Sequence, residues 1–186
     1  MPVFRRKSAF AFVELLVVML ILVVLYSVAV GPTASYLRAQ KLTRCAENMR
    51  KLHLTLTLFA NEHDGAFPTV EGAQSSSQPL ALLVPKYTST PALLACPAVD
   101  EGFGFAYVSG LKNDRNSRQM LISDAQVNNA PKPRGAALFS TDGKGRGSNH
   151  GDGGGNVLFA DGHVATSGTH TLDEIILPPG VVLLNP

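Results

Sequence analysis

The chain has no tryptophan and only two cysteines in 186 residues, and just 16% of it is charged. The cysteines, Cys45 and Cys96, are not part of a Cys-x-x-Cys pair, and two cysteines alone do not make a zinc site. No basic patch carries interleaved aromatics and no glycine-rich loop is placed to cradle a phosphate, so the sequence gives no reason to expect a nucleic-acid partner. No internal repeat is present. No Ser/His/Asp or Cys/His arrangement stands in a recognisable catalytic context. Ser148, His150 and Asp142 include the right residue types, but a catalytic dyad is defined by geometry.

The formal charge of +2 comes from 16 basic and 14 acidic residues. Arg5, Arg6 and Lys7 account for three of the basic residues. Without them the balance is 13 against 14, or −1, so the basic isoelectric point is mostly a property of the first nine residues.

What is present begins immediately after that basic stretch. Residues 10–30 form an apolar run of 21 residues whose only charge is Glu14. About 20 apolar residues suffice to cross a bilayer as a helix. A secretory signal has an apolar region of about 7–15 residues followed by a small-residue cleavage site. This run is longer and no such site follows it. Flanking Lys/Arg residues stay on the cytoplasmic side, so the expected topology is a single pass through the inner (cytoplasmic) membrane. The remainder then faces the periplasm or the exterior. A carboxylate in such a span is expensive and points to a function.

Gly31-Pro32 interrupts the run, and helical character then resumes. Leu42, Cys45, Ala46, Met49, Leu52, Leu56, Phe59 and Ala60 recur at three- and four-residue steps and predict one apolar helix face. Asp64-Gly65, followed by Pro68, predicts the stop. A helix from Phe10 to His63 would be about 80 Å long. The expected divisions are a basic segment at 1–9, which the resemblance described below makes a leader, a membrane helix at 10–30, to which the same resemblance gives an assembly role, its amphipathic continuation at 31–64, and a globular domain at 65–186. Within the domain, 79–84 reads as a short helical turn, and 103–109, 120–123 and 136–140 read as strands, the first with apolar alternation. A hairpin is expected from strand 156–160 through a turn at Asp161-Gly162 to a return strand opening at His163. Ile175–Leu177 reads as an edge strand. Residues 142–155, seven of them glycine, read as a flexible surface loop. A helix packed on a small antiparallel sheet is an α+β layout.

Arg5-Arg6-Lys7, Ser8-Ala9 and Phe10-Ala-Phe-Val-Glu14-Leu-Leu-Val-Val18 resemble the leader and mature start of type IV pilins and type II secretion pseudopilins. The resemblance implies that a membrane aspartic peptidase, prepilin peptidase, cuts between Ala9 and Phe10 and that the new amino group is methylated. The family's usual residue before the cut is Gly, where this chain has Ala9. It also implies a type IV pilin-like fold and assembly with copies of itself and other pilin-like subunits through an inner-membrane platform. There the Glu14 carboxylate would pair with the amino terminus of a neighbouring Phe10. Further along, Cys45–His53, Ala60–Pro68, Pro85-Lys-Tyr, Cys96-Pro97 and Tyr107–Leu111 resemble a subgroup of pilin-like proteins from planctomycete- and verrucomicrobium-type bacteria. That subgroup ends in a histidine, nine residues and Asp-Gly; here His150 is followed by ten residues before Asp161-Gly162.

Two further groupings have competing readings. Cys45 and Cys96 would lie in an oxidising compartment, where a bridge closing a loop of about 50 residues is worth about 4 kcal/mol in the chain-entropy model. The bland reading is two buried thiols, and the bridge is the expectation. His150, Asp152, Asp161 and His163 supply imidazoles and carboxylates near one hairpin, a donor set open to Ca²⁺ or another divalent metal. The structural reading makes Asp161-Gly162 a turn, points His163 out of a strand and requires no cofactor. The functional expectation is a non-enzymatic pilin-like subunit for protein secretion. The rival is a single-pass anchored envelope protein whose outer domain binds metal or ligand, or is hydrolytic, and never polymerises.

Overall fold

A computed structural model of the protein describes residues 8–30, 33–99, 104–113, 118–130, 132, 135–167, 177 and 180–186. It divides into two compact units, Met1–Leu37 and Arg38–Pro186.

The first unit contains helix α1, Ser8–Val30. Its apolar residues show no periodicity because they occupy every face. From Phe12 to Ala29 every side chain is exposed, Leu20 at 60% and Val23 at 64% among them. This stretch is long and apolar enough to cross a membrane. An α-helix satisfies its backbone polar groups internally, which allows such a sequence to sit in hydrocarbon.

Helix α2, Thr33–Glu62, has the opposite character. Cys45, Ala46, Met49, Leu52, Thr55, Leu56, Phe59 and Ala60 are buried along one face, while Arg44, Glu47, Arg50 and Lys51 are exposed. The helix ends where Asp64 and Gly65 turn left-handed, at φ of 51° and 79°. There the Gly65 N–H donates to Ala60 O at 2.8 Å and satisfies one of the terminal carbonyls.

Helix α3 is Ser77–Ala81, and a single 3₁₀ turn covers Pro91–Leu94. Among the described residues five strands follow: β1 Phe105–Ser109, β2 Met120–Asp124, β3 Gly155–Phe159, β4 Val164–Ser167 and β5 Val182–Leu184. They form one antiparallel sheet in the order β4-β3-β2-β1-β5. Every residue of β1, β2 and β3 is buried. The central strands are thus covered on both faces, and the apolar alternation expected of 103–109 does not mark a solvent face. Leu52 and Leu56 of α2, Leu80 and Leu83, and Leu138 and Phe139 join the strands in one core. Each such side chain contributes about 1.5–3 kcal/mol by leaving water. The architecture is α+β.

Three other expectations shift. Residues 136–140 form no strand; Leu138 and Phe139 are core side chains on an irregular segment, and Leu138 O accepts from Val127 N–H at 2.9 Å. The edge strand is β5, beyond Pro178-Pro179, and residues 175–176 lie outside the described set. The hairpin is present one residue out of place: β3 starts at Gly155, and the return strand starts at Val164, with Phe159 N–H donating to His163 O at 3.0 Å.

Candidate functional site

Residues 1–7 of the expected leader lie outside the described set. Ala9 and Phe10 fall within the helical backbone of α1. Glu14 is exposed on that helix beside Val13, Val17 and Val18. Among the described residues, none pairs with its carboxylate.

The second unit holds a buried polar cluster assembled from four separate segments. Cys45 comes from the apolar face of α2, Cys96 follows the 3₁₀ turn, Asp124 ends β2, and His150 comes from the glycine-rich segment before β3. Cys45, Cys96 and Asp124 are fully buried and His150 is 4% exposed. Their ligand-type atoms all lie within 4.8 Å of one another. Cys45 and Cys96 are joined as a disulfide. Asp124 Oδ1 is 3.3 Å from Cys45 Sγ, Asp124 Oδ2 is 3.2 Å from His150 Nε2, and His150 Nε2 is 3.5 Å from Cys96 Sγ.

Asn156 braces this cluster from β3. Its backbone N–H and side-chain Nδ2 donate to Asp124 Oδ2 at 2.8 and 3.2 Å. The same Nδ2 reaches Leu42 O on α2 at 3.0 Å, and Asn156 Oδ1 accepts from Thr166 on β4 at 2.7 Å. His150 Nδ1 is buried and has no partner among the described residues.

Two glycines permit this assembly. A Cβ on Gly104 would lie 2.6 Å from both Cβ and N of Cys96, so the segment entering β1 can pass the cysteine only as glycine. Asn149 Nδ2 donates to Gly104 O at 2.7 Å and ties the residue before His150 to the same place. Gly147 has φ of 83°, and a Cβ there would meet Val127 N at 2.9 Å. The segment expected as a flexible surface loop is held by these contacts, by Ser140 N–H to Gly147 O at 2.9 Å, and by Asp142. The Ser140 hydroxyl and the Lys144 N–H both donate to Asp142 and hold its carboxyl below the ordinary value.

The structure does not gather His150, Asp152, Asp161 and His163. His150 turns inward, whereas Asp152 is exposed and pairs with Arg38 at 3.0 Å. Asp161 and His163 sit at the opposite end of β3, about 17 Å away for five residues of strand. There His163 Nδ1 lies 2.9 Å from Asp161 Oδ1, and its ring stacks on Phe159 at 4.3 Å. Burial raises the Asp161 carboxyl, but the backbone and side-chain bonds from His163 outweigh it and leave the group below its ordinary value. Sequence reasoning missed Asp124. The available signal was a carboxylate closing an apolar strand, Met120-Leu-Ile-Ser-Asp124, where a buried charge demands partners.

No model of a known protein family matches this chain, and neither curated proteins nor solved structures yield a significant match.

Proposed function

We propose that the chain is a pilin-like subunit of a type II secretion or type IV pilus machine. Prepilin peptidase removes residues 1–9, Phe10 becomes the methylated amino terminus, and α1 carries the subunit through the inner membrane and into a filament with other pilin-like subunits. The observation that supports this most strongly is α1 itself: an apolar helix exposed from Phe12 to Ala29, with a single carboxylate four residues after Phe10 that pairs with none of the described residues.

The physical logic is a charge placed where it lacks a partner. At about 4 Å, opposite unit charges attract by about 1 kcal/mol in water and about 4 kcal/mol at an effective dielectric constant of about 20. A neighbouring subunit's amino terminus therefore attracts Glu14 more strongly inside an assembled bundle than it would in water. Before assembly Glu14, near the start of the span, reaches the cytoplasmic interface. The role is mechanical and includes no catalytic step.

Mass spectrometry of the mature, membrane-extracted protein tests the processing: a methylated Phe10 is expected, and an intact Met1 or Pro2 start would favour the anchored, non-polymerising rival. Glu14→Val is expected to insert and be processed normally yet be depleted at least about tenfold in sheared filaments, a loss of about 1.4 kcal/mol or more in assembly. Equal recovery of mutant and wild type would remove Glu14 from the assembly step.

A further inference from the structure

We propose that Cys45, Cys96, Asp124 and His150 form a zinc-class metal site when the two cysteines are in the dithiol state. The inference concerns residues 38–186 and is independent of how α1 is processed or assembled.

Three distances carry it. A tetrahedral ion with metal–nitrogen and metal–oxygen bonds of about 2.0–2.2 Å and metal–sulfur bonds of about 2.3 Å sets its ligand atoms about 3.3–3.8 Å apart. The contacts Cys45 Sγ–Asp124 Oδ1, Asp124 Oδ2–His150 Nε2 and His150 Nε2–Cys96 Sγ are 3.3, 3.2 and 3.5 Å. The four side chains thus converge on one point, with their ligand-type atoms all within 4.8 Å of one another and these three contacts close to a tetrahedral edge, Asp124 making one through each of its oxygens. The remaining contact, between the sulfurs, opens when their bond is reduced.

Donor chemistry points the same way. A disulfide sulfur has no proton, so the contact between Cys45 Sγ and Asp124 Oδ1 sets two electron-rich atoms face to face in a buried site. Asp124 Oδ2 is met by His150 and by two Asn156 donors, whereas Oδ1 faces the sulfur. A dication at the point of convergence answers all four groups together. Two thiolates, an imidazole and a carboxylate suit Zn²⁺; Ca²⁺ takes six to eight oxygens and finds one carboxylate here. Asn156 holds Asp124 Oδ2 with two N–H donors and leaves Oδ1 directed at the sulfur, the kind of outer support that orients metal ligands. Four protein ligands with no solvent-facing position make a structural site rather than a catalytic one. The ion would clamp α2, the segment after the 3₁₀ turn, β2 and the glycine-rich segment at a single point.

The ion and the disulfide are alternative states of one pair of sulfurs. Zn²⁺ binding to the dithiol releases two thiol protons. A disulfide-class oxidant R–S–S–R then takes two electrons from the dithiolate, the Cys45–Cys96 bond forms, two protons are taken up to give two R–SH, and Zn²⁺ leaves.

The test uses the full chain in detergent micelles, reduced with a phosphine and titrated without oxygen with Co²⁺ and then Zn²⁺. The expected result is a single Co²⁺ per chain with strong visible bands of tetrahedral cobalt and a near-ultraviolet thiolate-to-cobalt band, all erased by Zn²⁺ and all missing from the oxidised chain. Asp124→Asn and His150→Gln should weaken Co²⁺ binding by at least about tenfold, whereas Asp152→Asn and His163→Gln should leave it unchanged. In the wild-type chain Zn²⁺ should protect both thiols from alkylation, a readout that needs no variant to fold. A reduced chain without the thiolate band, thiols alkylated equally with and without Zn²⁺, or a band indifferent to Asp124→Asn and His150→Gln would each overturn the proposal.

Discussion

Helix α1 and the buried part of α2 are both rich in leucine and valine-sized side chains, yet the protein treats them in opposite ways. In α2 the apolar residues keep to one face, and Met49, Leu52 and Leu56 are fully buried in the chain's own core. In α1 they occupy every face, and none from Phe12 to Ala29 is covered. One helix has its apolar face covered by the chain's own core, and the other leaves its apolar surface open from Phe12 to Ala29. The difference lies in both the share of apolar residues and their spacing, since a one-sided stripe among polar residues seeks a core and an all-round apolar surface seeks an apolar environment.

The sharpest way to break this contrast is to truncate one leucine in each helix. Leu52→Ala or Leu56→Ala should destabilise the folded domain by about 2–5 kcal/mol in denaturant unfolding followed by circular dichroism. Leu20→Ala or Leu22→Ala should leave that unfolding transition where it was. Equal effects from both helices would mean that α1 contributes to the domain's stability. A smaller effect should follow from crowding the domain's interior: Gly104→Ala places a methyl 2.6 Å from the Cys96 backbone and should cost about 1–3 kcal/mol. The same substitution at Gly72, where no atom lies within 4 Å, should incur only the cost of its positive φ. The comparison of the two reads close packing directly.

The smallest effect is expected at the exposed end of α2. Lys86 Nζ and then the Tyr87 hydroxyl donate to the Glu62 carboxylate and hold its carboxyl below the ordinary 4.5. A lowered folded pKa contributes stability that is present above the unfolded value and lost as pH falls through the folded one. The small difference in Tm between wild type and Glu62→Gln should therefore favour wild type near neutral pH and vanish below the ordinary glutamate range. A difference that persists in acid would assign the effect to packing instead of charge.

The buried face of α2 could be read from sequence because helical periodicity is local: residues three and four apart share a face whatever the rest of the chain does. The end of α2 at Asp64-Gly65 was legible for the same reason. Residues 136–140 misled because an apolar run looks alike in a strand and in an irregular buried segment; Leu138 and Phe139 enter the core, but their backbone joins no strand. β5 is three residues long and follows two prolines, too little pattern to register. The buried cluster was hidden by distance along the chain. His150 stood out in the sequence, but its neighbours in sequence, Asp152, Asp161 and His163, are not its neighbours in space. The sheet brings it instead to Asp124 and to Cys96, 54 positions earlier.

Asn156 has a consequence for force. Its amide grips the Leu42 carbonyl of α2, while eleven residues along the same helix His53 Nε2 lies 3.0 Å from Ala160 O, just past the end of β3. These two attachments are about 16 Å apart along the helix axis. A slide of α2 by one residue, about 1.5 Å with a turn of about 100°, would break both together. Tension along α2 from Arg38 onward is therefore carried in shear by the pair of contacts and spread into β3.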